Sequence, residues 1–231
     1  ARAGRFIGRS DFAEALRHWQ RVRALLRAPA DDPTVTALGI DACFQVLAIG
    51  IRLVLPAEEI QQVFAEGLAW AARTGDPFYA ARFHQALAVL EVGHDRVDSA
   101  IAHAAEWERM ARVTADEERR SMALWPSLEP LFYRGDLAAA RANCEAQLEW
   151  TRGHPRWGLR DWGMSAQAGA LWVLGRVETY DGTFARAREY LERGAQIARG
   201  VGDLEMESAC WAALVQLGFL AAEPAPVRSA A

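Results

Sequence analysis

The stretch Ala168–Val201 reads AGALWVLGRVETYDGTFARAREYLERGAQIARGV. Leu171, Leu174 and Gly175 share one helical face. Gly182 interrupts the pattern, and Phe184, Ala187, Leu191, Gly194 and Ile197 resume it. Apolar and small residues three or four apart make one packing stripe per helix. The stretch therefore predicts two amphipathic helices joined by a short glycine turn. Such a pair cannot bury both stripes by itself and needs neighbours.

The remainder of the chain supplies them. The pattern can be aligned on the second helix of each pair, with Ala15, Ile60, Ala100, Ala140 and Ala187 as tight-packing anchors. Trp19, Phe64, Ala104, Cys144 and Leu191 follow four residues later. Leu25, Trp70, Met110, Trp150 and Ile197 stand ten residues after the anchors and are expected on the same stripe. The decisive stretch has the period of a tetratricopeptide repeat. The anchors themselves recur at 40 to 47 residues, so an irregular solenoid is expected. The predicted fold is all-α: an alpha-alpha superhelix, a TPR-like solenoid, of about ten antiparallel helices. They fall near 10–27, 34–54, 57–74, 77–93, 96–113, 115–134, 136–152, 161–180, 183–200 and 203–222. Pro126 and Pro130 should kink or split the sixth. One helical-repeat domain is expected over 1–222, with a disordered Ala/Pro-rich tail over 223–231. The first helix reads as the second half of a pair, and the chain does not start with Met. Both suggest a fragment of a larger protein.

Helix boundaries are written in the punctuation. Gly75-Asp76-Pro77 combines a left-handed stop, an N-cap and a first-turn proline. Gly135-Asp136 and Gly202-Asp203 repeat it without Pro. Asp11 with Glu14 resembles a capping box. Glu58-Glu59 and Glu117-Glu118 sit in first turns, where carboxylates favour the helix dipole. The longest apolar segment, Ala37 to Leu55, is broken by Asp41, Gln45 and Arg52. It reads as a buried solenoid helix, not a membrane span.

Composition excludes several chemistries. The 231 residues are 52% hydrophobic and 24% charged, which is globular. A net charge of −4 without a basic stripe gives no case for nucleic acid. All 26 basic residues are Arg, which removes Schiff-base and phosphate-loop lysines. Cys43, Cys144 and Cys210 have no paired spacing and read as buried small apolar residues of a cytoplasmic protein. His18, His84, His94, His103 and His154 form no metal motif, so no metal and no cofactor are expected. His94 and His103 bracket a turn and read as solvated or capping residues. No linear motif assembles a nucleophile, base and oxyanion donor, so no catalytic residue is assigned.

Trp19, Trp70, Trp107 and Trp150 lie on repeat stripes and read as core. Trp125, Trp157, Trp162 and Trp172 lie on or before the first helices of pairs, which line the concave side of such solenoids. The segment RWGLRDWG, Arg156 to Gly163, packs two Trp, two Arg and an Asp into eight residues. If a groove binds a ligand or peptide, the candidates are Trp157 and Trp162 as flat apolar surface, with Arg160 and Asp161 as polar partners. The alternative is structural: Asp161 caps the next helix, Arg160 is solvated, and both Trp seal the interval between repeats.

Three segments carry a family resemblance: EEIQQVFAEGLAWAARTGDP (Glu58–Pro77), YRGDLAAARANCEAQLEW (Tyr133–Trp150) and WVLGRVETYDGTFARAREYLERGAQIARGVGD (Trp172–Asp203). They resemble the C-terminal helical-repeat region of bacterial class III adenylate/guanylate cyclases carrying an ATPase module, and of maltose-regulator-type ATPase transcriptional activators. In such parents the catalytic modules precede the repeats, and this chain has neither a phosphate loop nor a cyclase's paired metal-binding Asp. The resemblance implies a non-catalytic interaction or sensor module. Its partner would be a protein or the other domains of its parent chain. A sensor of a small sugar-like effector is one alternative and an enzyme built on a helical solenoid a remoter one; no contact with nucleic acid or membrane is expected.

Overall fold

The structure is a computed structural model that describes residues 11–26, 32–53 and 55–221. The protein is all-α, with no strand among the described residues. The tail expected over 223–231 lies outside them. Two compact units make up the chain, Ala1–Ala115 and Asp116–Ala231.

Unit 1 contains α1 (Phe12–Leu25), α2 (Pro33–Leu53), α3 (Ala57–Ala72), α4 (Pro77–Gly93) and α5 (Val97–Ala111). Successive helices pack on each other, and α2 also packs on α4. Over Pro33–Gly50, α2 is long and apolar enough to cross a membrane. Within unit 1 its Ile40, Ala42, Cys43, Val46 and Leu47 are buried core residues.

Unit 2 contains α6 (Glu117–Ser121), α7 (Trp125–Tyr133), α8 (Leu137–Trp150), α9 (Leu159–Trp162), α10 (Ala166–Tyr180), α11 (Phe184–Val201) and α12 (Leu204–Ala221). The first helices of pairs pack on one another, α7 on α10 and α10 on α12. Second helices fill in beside them, α8 against α7 and α10, α11 against α10 and α12.

Two predicted helices are each divided. The sixth breaks over Met122–Leu124, because Pro126 has no N–H for the carbonyl four residues back. Pro126 instead enters the first turn of α7, where no N–H is needed. The eighth starts at Ala166, after the single turn of α9, and Gly163 at φ 76° ends that turn. Asp161 is therefore not its cap. Ser165 is: its Oγ accepts from Ala168 N at 3.2 Å. Buried Asp203 ties two helix starts together, accepting from Ser165 N at 2.6 Å and from Met206 N at 3.0 Å.

The anchor column holds. Ala15, Ile60, Ala100, Ala140 and Ala187 are all fully buried. The column ten residues on holds only in part: Trp70 is buried, Met110 and Ile197 are half-buried, Leu25 is exposed, and so is Trp150, which sequence assigns to the core. At 3.6 residues per turn, ten residues fall about 80° short of three turns, whereas eleven nearly complete them. The buried positions are accordingly seven and eleven after the anchor: Gly67 and Ala71, Trp107 and Ala111, Gln147 and Thr151, Gly194 and Ala198. Gly194 faces Cys210 so closely that a Cβ there would lie 2.9 Å from the Cys210 Sγ.

Candidate functional site

The segment with Trp157, Arg160, Asp161 and Trp162 folds back on α6. Arg119 Nε donates to Asp161 Oδ2 at 3.2 Å. Arg160 Nη2 donates to Asp116 Oδ2 at 2.9 Å and Asp161 Oδ2 at 3.1 Å, and Arg160 Nη1 lies 3.5 Å from Glu118 Oε2. Gly158, at φ 96°, donates its N–H to Glu118 Oε1 at 2.9 Å. Arg160 is thus paired rather than simply solvated. Trp157 is half-buried and stacks on His154 at 3.9 Å, with 9° between the rings. Trp162 is half-buried beside it in sequence. The structure brings Arg119, Arg160, Asp161, Asp116 and Glu118 into one reciprocal network. This network holds the loop and engages Arg160 and Asp161 within it.

A second constellation, unread in the sequence, lies on α7 and α10. Trp172, Arg176 and Tyr180 stand at four-residue spacing, as do Glu129 and Tyr133, so each set lines one face of its helix. Arg176 is the centre. Its guanidinium carbon lies 4.2 Å from the Phe132 ring centroid, 4.7 Å from Trp172 and 5.1 Å from Tyr133. Its Nη1 donates to Glu129 Oε1 at 3.3 Å and its Nη2 to the Tyr133 hydroxyl at 3.1 Å. Burial pushes the Glu129 carboxyl above its ordinary value, against the pull of Arg176. Phe132 meets Tyr180 edge-on at 5.4 Å, and the Tyr180 hydroxyl accepts from Gln216 of α12 at 3.2 Å. Trp172 is seated on the core of Ala187, Leu191, Ala213 and Leu217.

The outer rings remain open. Tyr133 is 49% and Tyr180 58% exposed, although large aromatics normally bury most of their surface. The half-buried Arg176 guanidinium links Phe132, Trp172 and Tyr133 through cation–π contacts, and Tyr180 leans on Phe132. Such a face offers flat apolar surface with phenol donors on a rigid helical support. The sequence signal is the four-residue spacing of Trp172, Arg176 and Tyr180, of which the pattern of tryptophans picks out only Trp172.

Unit 1 has a polar groove between α1 and α3, about 730 Å³, lined by Gln20, Arg23, Glu59, Gln62 and Glu66 among others. Its walls pair with each other, Arg23 with Glu66 at 2.5 Å and Gln20 with Glu59 at 2.7 Å. The three cysteines are buried and free, as expected of small core residues. Burial pushes the Cys43 and Cys210 thiols up to about 12, far from a reactive thiolate. His94 caps α4, its Nδ1 lying 2.9 Å from Leu90 O. His103 is half-buried inside α5 and is not a cap. It pairs with His84. Among the described residues, no three His, Cys, Asp or Glu side chains converge as a metal cluster.

No protein-family model matches this chain, and no curated protein matches it.

Proposed function

We propose that this chain is a non-catalytic protein-interaction and regulatory sensor module, and that it binds through the aromatic face of α7 and α10. The observation that carries the reading is the pair of half-exposed tyrosines, Tyr133 packed on the guanidinium of Arg176 and Tyr180 on the ring of Phe132. Rigid aromatics lose little conformational entropy on binding and dominate recognition energetics. The stacking of α7 on α10 and of α10 on α12 supports a TPR-like solenoid, whose first helices line the concave, ligand-binding side. On this reading the occupant is a peptide segment of a partner protein or of the parent chain's other domains. The parent is a bacterial cyclase or ATPase regulator of the kind the repeats resemble. The compartment is the cytoplasm, with which three unpaired thiols are compatible.

The test is a displayed-peptide selection against the chain. Peptides retained by the wild type should lose at least about tenfold in affinity on a Tyr133→Ala/Tyr180→Ala double variant. Its melting temperature should stay close to the wild type, because both rings are at the surface. Undiminished binding would remove the face from consideration. A loss confined to Trp157→Ala/Trp162→Ala would move the site to the Arg156–Gly163 segment.

A small sugar-like effector is a second reading. Half-buried Trp172, with Glu129 and Arg176 close by, joins a flat apolar surface to polar partners, as small-molecule sites do. A ligand that binds only the folded chain raises its melting temperature. A thermal-shift screen of sugars and related polyols separates this reading from the first.

A further inference from the structure

His84 on α4 and His103 on α5 lie nearly equidistant from the turn at His94–Asp95. An antiparallel helix hairpin sets such residues level with each other. Their rings are 5.2 Å apart, and their Nδ1 atoms face each other across 3.0 Å. This is a hydrogen bond between imidazoles: one neutral ring donates its Nδ1–H and the other accepts on its Nδ1 lone pair. Phe64 of α3 meets both rings edge-on, at 5.2 Å from His84 and 5.6 Å from His103, so three helices converge on the pair. Both imidazoles are half-buried, so solvent protons reach them.

Proton counting gives this pair a threshold. The donating ring keeps a free lone pair on Nε2, and the accepting ring carries its hydrogen on Nε2. A first added proton goes to the free Nε2. The hydrogen bond survives it and becomes charge-assisted. A second proton has only the accepting Nδ1 left, and the bond occupies that atom. Two Nδ1–H groups cannot face each other at 3.0 Å, and two cationic rings held there repel. The second proton therefore enters only when the rings part.

We propose that His84 and His103 form an acid-sensitive latch in unit 1: with no added proton or one, the pair clasps the α4–α5 hairpin against Phe64, and a second proton opens it. Glu106 of α5 favours a proton on His84 and Arg109 opposes it, while Glu91 of α4 favours one on His103. Arg109 and Glu106 are forked onto each other at 2.6 and 2.9 Å, and Glu91 is forked onto Arg96. Among the described residues, no charged group of α2 or α3 acts on either ring. Burial holds both imidazoles below their ordinary value of 6.5. A histidine depressed in the folded state adds stability that is present above its unfolded value and is lost as pH falls through the folded one. Opening therefore grows below pH 6.5, in the range where histidine acts as a switch.

Two measurements on the full chain test the latch. Long-range ¹H–¹⁵N NMR in mildly alkaline buffer reads the tautomers of both rings. One ring with its hydrogen on Nδ1 and the other with it on Nε2 is expected; both hydrogens on Nε2 would overturn the proposal. Amide hydrogen exchange reads the opening. Between about pH 7.5 and pH 5, protection factors in α4 and α5 should fall at least about threefold. Those in α10 and α11, which contain no histidine, should stay level. In His103→Asn the side-chain amide still offers His84 a partner but takes up no proton, so the fall should disappear. Level protection in wild-type α4 and α5, an equal fall in α10 and α11, or a fall that persists in the variant would each overturn the latch. The wild-type measurements decide the matter whether or not the variant folds.

Discussion

Glu91 is 2% exposed, yet it carries a charge. Arg96 supports it with a fork, Nη2 to Oε1 at 2.9 Å and Nε to Oε2, closing the turn between α4 and α5. The hydrogen bonds from Arg96 hold the Glu91 carboxyl below its ordinary value of 4.5. A carboxyl depressed in the folded state adds stability that is present above the unfolded value. That stability is lost as pH falls through the folded one. Urea denaturation should therefore show stability falling below pH 4.5, with a shallower acid slope in Glu91→Gln. At pH 7 the variant should lose about 1–3 kcal/mol, toward the low end because Arg96 can turn to water. An unchanged acid slope would show that Glu91 titrates normally. The same scale explains the thiols: Cys43, Cys144 and Cys210 sit where a side chain slightly larger than Ala is needed and an ionised one cannot be solvated.

At the scale of elements, the anchor column is the organising contact. Ala187 of α11 is fully buried, and its carbonyl would stand 3.2 Å from a Cβ at Gly175 of α10. The two backbones approach that closely only because Gly175, Ala187 and Gly194 are small. Ala187→Leu should overpack this seam and cost about 1–3 kcal/mol. Chemical denaturation reads the loss as a lower midpoint at unchanged slope; a midpoint equal to the wild type's would place Ala187 off the seam. Gly75, Gly135 and Gly202, each left-handed and each followed by an N-capping or capping-type Asp, show why these helix ends were legible. Their signals lie within four residues of chain. The breaks at Met122–Leu124 and at Gly163 were harder to see, since a proline or glycine within a helical pattern can either kink it or end it.

For the whole molecule, the division into Ala1–Ala115 and Asp116–Ala231 makes a further expectation. Unit 2 has its own core, including the cluster of Ala187, Leu191, Ala213 and Leu217 with Trp172 packed on it. A chain of residues 116–221 should fold alone and melt cooperatively by circular dichroism, with helical content and no strand signature. A gradual, non-cooperative loss of helix signal would show that this core is insufficient. The aromatic face of α7 and α10 belongs to the same unit, so the fragment should retain the peptides selected by the full chain.

Sequence alone determined the helical class, the capping aspartates Asp11, Asp76, Asp136 and Asp203, and the anchor residues Ala15, Ile60, Ala100, Ala140 and Ala187. These rest on the 3.6-residue period and on backbone groups satisfied by near neighbours. Tertiary structure alone decided which side chains meet across elements. Arg160 with Asp116, Arg176 with Phe132 and His84 with His103 are 19 to 44 residues apart. Periodicity tells which face of a helix is buried, but not which neighbour covers it. Each of these contacts arises only when two stripes, legible separately, are pressed together by the burial of apolar surface.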